Sequence, residues 1–182
     1  MTSFAVRRVH GDEWRCVRDL RIEAVSDPDA GIAFLSTVQE ERARHDEFWR
    51  ERAAAGAASD HAAQFVAVAA DVDARWVGTV TVLLRPVGCV DHAGRLVATP
   101  RADVVGVYVA PVRRGAGVID ALLDTAAGWA AERGFFRLDL DVHADNERAQ
   151  AAYRRCGFVR TGEEFTGPIG PEIGMVRQIT TR

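Results

Sequence analysis

The stretch that most constrains this chain runs from Asp103 to Gly117, DVVGVYVAPVRRGAG, and continues as VIDALLDTAAGWAAERG to Gly134. Val104 to Val109 is rich in β-branched residues and lies between Pro100 and Pro111, which predicts a strand. Arg113-Arg114-Gly115-Ala116-Gly117 reads as a turn, after which Val118, Ala121, Leu122 and Ala126 recur with the period of one buried helical face. The first turn of such a helix has backbone N–H groups without intrahelical partners. With the positive end of the helix dipole they suit an anion such as phosphate, and small residues in the turn let it approach. Taken alone, the stretch also fits an ordinary connection whose glycines serve only the turn.

Two other phosphate loops are excluded. A P-loop ends in Gly-Lys-Ser/Thr, and this chain has no lysine, all 23 of its basic residues being arginine. The same fact excludes Schiff-base chemistry on lysine. A dinucleotide turn reads G-x-G-x-x-G, whereas Asp120 stands where the third glycine would follow Gly115 and Gly117. A length of 182 residues suits one domain, residues 1–182, around a single core. The net charge of −3 argues against a broad nucleic-acid surface. Cys16, Cys89 and Cys156 have no paired spacing, and His10, His45, His61, His92 and His143 contain no H-x-x-x-H. Neither a disulfide framework nor a metal site is expected. The amino terminus lacks the apolar core of a signal peptide and no run reaches membrane-spanning length, so a cytoplasmic location without a membrane partner is expected.

In chain order, Phe4 to Val9 predicts a strand, and Asp12 is placed to cap a helix reaching Val25. Ser26 to Gly31 is a loop by its turn chemistry. A second helix opens at Ser36 or Thr37, where Thr37 and Glu40 have capping-box spacing, and runs to Ala55-Gly56. Gln64 to Ala70 and Arg75 to Leu84 form a hairpin around Asp71-Val72-Asp73-Ala74, followed from Arg85 to Pro100 by a long polar connection or an extension of the hairpin. Phe135 to Val142 is a strand with Leu138, Leu140 and Val142 on one face and Asp139, Asp141 and His143 on the other, His143 being read as a surface residue. A helix from Asn146 to Arg155 and strands at Gly157 to Thr161 and Ile173 to Ile179 complete the chain.

Val107-Tyr108-Val109-Ala110-Pro111 followed by Arg114-Gly115-Ala116-Gly117-Val118 resembles the core motif of the GNAT superfamily of N-acetyltransferases, R/Q-x-x-G-x-G/A. Asn146-Glu147-Arg148-Ala149, Tyr153 and Gly157-Phe158 resemble its second signature, N-x-x-A-x-x-x-Y-x-x-x-G-F. The order of the two motifs matches as well. The last glycine or alanine of the first motif is Ile119 here, a branched side chain beside the pyrophosphate position. The resemblance implies an α/β fold: a mixed, mostly antiparallel sheet of six to seven strands with a splayed central pair and helices on both faces. It implies acetyl-CoA as cosubstrate, no metal, and a primary amine of a small molecule or peptide as acceptor. A homodimer through the last strands is a further expectation.

Under that resemblance, backbone groups of Val107, Tyr108 and Val109 lie along the pantetheine arm. The segment Arg114, Gly115, Ala116, Gly117, Val118, Ile119 and Asp120 holds the pyrophosphate, with Arg113 adding charge and the Asp120 side chain turned away. Asn146 stands beside the pantetheine, and also reads as a plain helix cap. Tyr153 is placed to hydrogen-bond the leaving thiolate, or else packs against the sheet. Asp141 is the candidate base, with Asp103, Glu23 and Glu41 as competitors. Phe34, Glu40, Glu41 and Trp49 are candidate acceptor contacts, against a reading as a solvated helix face with Trp49 in the core. The alternative function is a noncatalytic acyl-CoA-binding module.

Overall fold

Near-continuous runs of buried residues in its central strands build one seven-stranded sheet in the computed structural model, which describes residues 3–70, 73–91 and 94–180. The strands are β1 (Phe4–Arg8), β2 (Ala62–Ala69), β3 (Trp76–Arg85), β4 (Arg101–Val109), β5 (Arg137–His143), β6 (Val159–Gly167) and β7 (Gly170–Gln178). Their order is β1-β2-β3-β4-β5-β7-β6, antiparallel throughout except for the parallel neighbours β4 and β5. The helices are α1 (Trp14–Val25), α2 (Val38–Ala43), α3 (Asp46–Ala58), α4 (Val118–Ala131) and α5 (Glu147–Arg155). Asp71 and Val72 of the expected hairpin turn, and His92, lie outside the described residues.

The two faces carry separate cores. Ala63, Phe65 and Ala67 of β2 pack with Leu122, Leu123 and Ala126 of α4 and with Tyr153 of α5. Val66 points the other way, into a cluster with Val17 and Leu20 of α1 and Trp49 and Ala53 of α3. A period of two thus sends α4 and α5 to one face and α1 and α3 to the other. The Leu138, Leu140 and Val142 face of β5 belongs to the first cluster.

Two irregularities open the middle of the sheet. Val105 pairs with Thr81 and Tyr108 with Thr79, so Gly106 and Val107 together oppose Val80 in a bulge. Gly106 has φ +61°, a conformation in which a side chain would be strained. The second is the fork. β4 and β5 pair only at Ala102↔Leu138 and Asp103↔Asp139, and beyond these positions they part.

Element boundaries correct three sequence expectations. Glu13, not Asp12, occupies the cap position of α1, and its carboxylate accepts from Arg7 and from the His10 N–H (2.8 Å) instead of capping the helix. Thr37 and Glu40 do form a capping box, but the helix stops at Ala43. Arg44 turns extended, its Nε donating to Glu41 Oε2 (2.8 Å), and α3 restarts after His45 with Asp46 and Glu47 in its first turn. β5 begins at Arg137 rather than Phe135.

The excursion between β3 and β4 closes on Asp91, which is buried. It accepts from the Arg95 N–H (2.9 Å), Arg95 Nε (2.8 Å) and Arg101 Nη2 (2.7 Å). Burial pushes this carboxyl up, but those donors outweigh it and hold its pKa at about 2. A folded-state pKa below the unfolded one stabilises the fold above about pH 4, and the stabilisation is lost as pH falls toward 2. Asp91→Asn should therefore cost about 2 kcal/mol at pH 7. Urea unfolding should show that difference shrinking below about pH 3 as the wild-type carboxyl protonates.

Candidate active site

The turn before α4 presents backbone donors to a cavity of about 610 Å³, within the range of small-molecule sites. A short 3₁₀ turn, Pro111–Arg113, is followed by Gly115 (φ +79°) and by Gly117 (φ +78°) in the cap position of α4. No side chain caps this helix. Among the described residues, the N–H groups of Gly115, Gly117, Val118, Ile119 and Asp120 have no backbone acceptor. A Cβ on Gly115 or Gly117 would meet nothing within 4 Å, so open space lies over both. Arg113, Gly115, Gly117, Val118, Ile119 and Asp120 line the cavity, whereas Ala116, whose N–H bonds Arg113 O (3.3 Å), does not.

Arg114 is committed elsewhere. Its Nε donates to Val109 O (3.1 Å) and its Nη2 to Asp27, tying the turn to the loop after α1. Burial raises the Asp27 carboxyl, but the Asp29 N–H and Arg114 outweigh it and hold it below the usual range. Arg148 joins the same knot through Asp29 (2.9 Å). Asp120 turns toward α5, where it accepts from Cys156 Sγ (3.4 Å); burial, with that contact behind it, pushes the thiol up to about 12.

The open edge of β4 leads inward from this turn. The Ala110 N–H donates to Val77 O on the β3 side (2.9 Å). Backbone alternation then turns the polar groups of Val109, and of Val107 two residues before it, toward the gap left by β5. Val107, Tyr108 and Val109 all line the cavity, although the Tyr108 hydroxyl points out of it to donate to Glu23 Oε1 (3.2 Å). Asn146 caps α5 by accepting from the Ala149 N–H (3.1 Å), and its amide reaches Ile32 O (3.4 Å), so one side chain joins α5 to the loop before α2. Tyr153, in the last turn of α5, is buried and lines the same cavity. Its hydroxyl makes no hydrogen bond among the described residues, and burial raises its pKa, keeping it a donor.

On the opposite face of the sheet the fork is lined by carboxylates. Asp103 accepts from Arg85 (3.0 Å) and Arg101 (2.8 Å), and Asp139 accepts from Nε (2.8 Å) and Nη2 (2.6 Å) of Arg137. Burial nevertheless raises the Asp139 pKa. Asp141 accepts from Arg95 Nη2 (2.6 Å) and faces the cavity. Arg95 arrives from the excursion 46 residues earlier in the chain, a partner that local sequence pattern carries no sign of. His143, expected at the surface, is buried and lines the cavity, with Nδ1 accepting from the Asp145 N–H (3.1 Å). Its place on the polar face of β5 was the available signal.

The early helices supply less than the sequence suggested. Phe34 lines the cavity beneath the Arg21 guanidinium (4.6 Å). Glu40 and Glu41 do not line it. Glu40 is spent on the capping box, and Glu41 is buried among Arg21 (2.9 Å), Arg44 (2.8 Å) and Ser36 (2.5 Å). Trp49 lies wholly in the core, and Glu23 is outside the cavity. Among the described residues no group of three or more His, Cys, Asp or Glu could hold a metal, and no helix is long and apolar enough to cross a membrane.

Comparison with known proteins agrees with this arrangement. Residues 26–158 match the family described as Acetyltransferase (GNAT) family. Over 111 residues, 60% of this chain and 69% of the other, the chain is 34% identical to an aminoglycoside N(6')-acetyltransferase type 1 of Stenotrophomonas maltophilia. A GNAT-family acetyltransferase from Streptococcus pneumoniae superposes over 98% of this chain and all of its own, with TM-score 0.72 and 18% identity. The PaiA N-acetyltransferase of Thermoplasma acidophilum, solved with coenzyme A, does so over 97% and 99%, with TM-score 0.71 and 17% identity. A match across most of the chain, together with open amides, a bulged β4 and a forked sheet, means that this protein belongs to the acetyltransferase (GNAT) family.

Proposed function

We propose that the protein transfers the acetyl group of acetyl-CoA to a primary amine, on a small molecule or a peptide terminus, by direct attack with both substrates bound. The observation that carries this reading is one cavity lined both by the open amides before α4 and by the Tyr153 hydroxyl, which has no partner among the described residues. The S. maltophilia relative is named for acetylating an amine, and the T. acidophilum protein of the same fold holds coenzyme A.

Acetyl-CoA supplies an activated acyl group; the chain supplies binding, polarisation, one proton transfer and a hydrogen bond to the leaving sulfur. The open N–H groups of Gly115, Gly117, Val118, Ile119 and Asp120 hold the diphosphate at the positive end of α4. Val107 and Val109 offer backbone groups along the β4 edge to the pantetheine arm, and the Val109 N–H polarises the acyl oxygen as charge develops on it. Asn146 flanks the arm from the cap of α5. An acceptor amine has a pKa near ~10.4 and must lose a proton before it attacks, a task assigned to Asp141 on the polar face of β5. Tyr153 donates to the departing sulfur. An ordinary phenol near ~10 does not protonate a thiolate near ~8.5, and burial raises this one further, so its contribution is a charge-assisted hydrogen bond.

The direct test is thiol release from acetyl-CoA with a panel of primary amines. Turnover supports the enzyme, whereas acetyl-CoA binding without turnover across the panel supports a binding module. Tyr153→Phe should lower kcat by about 10²-fold with little change in coenzyme A affinity. Asp141→Asn should flatten the acid limb of the kcat/KM profile, and an unchanged limb would remove Asp141 from its role. Gly117→Ala forces a side chain into a left-handed conformation at a cost of about 1–2 kcal/mol. Its dissociation constant for coenzyme A, measured calorimetrically, should rise by roughly 5–30-fold.

A further inference from the structure

Arg52 has no use in the chemistry above. It lies on α3, half-buried, and lines the cavity. Every other arginine withdrawn from solvent has a hydrogen bond, ion pair or ring contact; Arg52 has none among the described residues. Its charged neighbours explain why. Arg21 and Arg44 repel it, and the one carboxylate nearby, Glu41, already accepts from Arg21, Arg44 and Ser36. Desolvation, with that repulsion behind it, pulls the Arg52 pKa below the ordinary arginine value. Guanidinium stays protonated in any protein, so the chain holds a partly desolvated cation whose nearby carboxylate is already paired with two other arginines.

A charge kept this way at a cavity wall calls for an anion from outside the chain. The diphosphate is not that anion, because its amides belong to α4 on the other face of the sheet. Arg52 instead shares its face with Asp139 and Asp141, where the amine loses its proton. The geometry points to an acceptor that carries a carboxylate besides its primary amine, bound through Arg52, as an amino acid or an amine-bearing acid would be. Planar paired donors match a carboxylate's two oxygens. This rests on the acetyl-transfer reading above and narrows its acceptor.

The experiment compares amino acids with their amides and with the corresponding decarboxylated amines, and includes a polycationic amino sugar. For wild type, kcat/KM should favour the carboxylate-bearing member of each pair by tenfold or more. In Arg52→Gln that ratio should fall at least tenfold, chiefly through acceptor KM, with Arg52→Lys retaining part of it. Removing an unpaired cation should also raise the thermal midpoint of the free protein in Arg52→Met, or leave it unchanged. A lowered midpoint in both Arg52→Met and Arg52→Gln would mean a structural partner and overturn the inference. So would wild-type activity on amides, amines or the amino sugar equal to that on the acids, or an Arg52→Gln defect confined to acetyl-CoA KM. Those outcomes leave acetyl transfer standing, whereas binding of acetyl-CoA with no turnover on any amine would sink the transfer reading itself.

Discussion

Two pairs of residues hold the two halves of the sheet together: Ala102 with Leu138, and Asp103 with Asp139. Were the parallel ladder between β4 and β5 to continue, its hydrogen bonds would fill the gap in which the cavity lies. Two features end it. Asp103 and Asp139 stand directly opposite one another, and like charges at such a position destabilise pairing. Three arginines, Arg85, Arg101 and Arg137, are spent on neutralising them. Three residues later the Gly106 bulge turns β4 away. The fork is therefore a polar interruption in an otherwise apolar sheet, bounded by Ala102 and Leu138 with no exposure at all.

The rest of the site is arranged around that opening. Because the strand period places α4 and α5 on one face and α1 and α3 on the other, the gap joins two chemically different surfaces. One offers backbone amides and the Tyr153 hydroxyl, suited to a phosphate-bearing thioester. The other offers carboxylates and arginines, suited to a charged acceptor. Side chains far apart in sequence clamp the rim: Arg114 to Asp27, Asn146 to Ile32, Arg95 to Asp141. Each joins segments that are distant in the chain around the rim, so the opening keeps its shape without a filled ladder.

What the sequence disclosed follows from the range of the forces involved. The strand, the glycine turn and the start of α4 were legible because β-branched runs, left-handed glycines and helical periodicity are local. The capping box at Thr37 and the cap at Asn146 were legible for the same reason. The break at Arg44 was not, since it depends on Glu41 accepting from Arg21 20 residues upstream as well as from Arg44. Glu40 and Glu41 looked like acceptor contacts because a charge run carries no sign of where its counter-charges lie. Arg52 went unnoticed for the converse reason, as only the assembled fold shows that one arginine in a crowded set has no partner.

The central claim is that the amides before α4, and the unpaired edge of β4 behind them, receive coenzyme A. An amide-resolved NMR titration with coenzyme A tests it directly. The account predicts that the largest shifts fall on Gly115, Gly117, Val118, Ile119 and Asp120, continuing to Val107 and Val109. Saturable binding that leaves those amides unmoved and perturbs the outer strands β1 or β6 instead would contradict it.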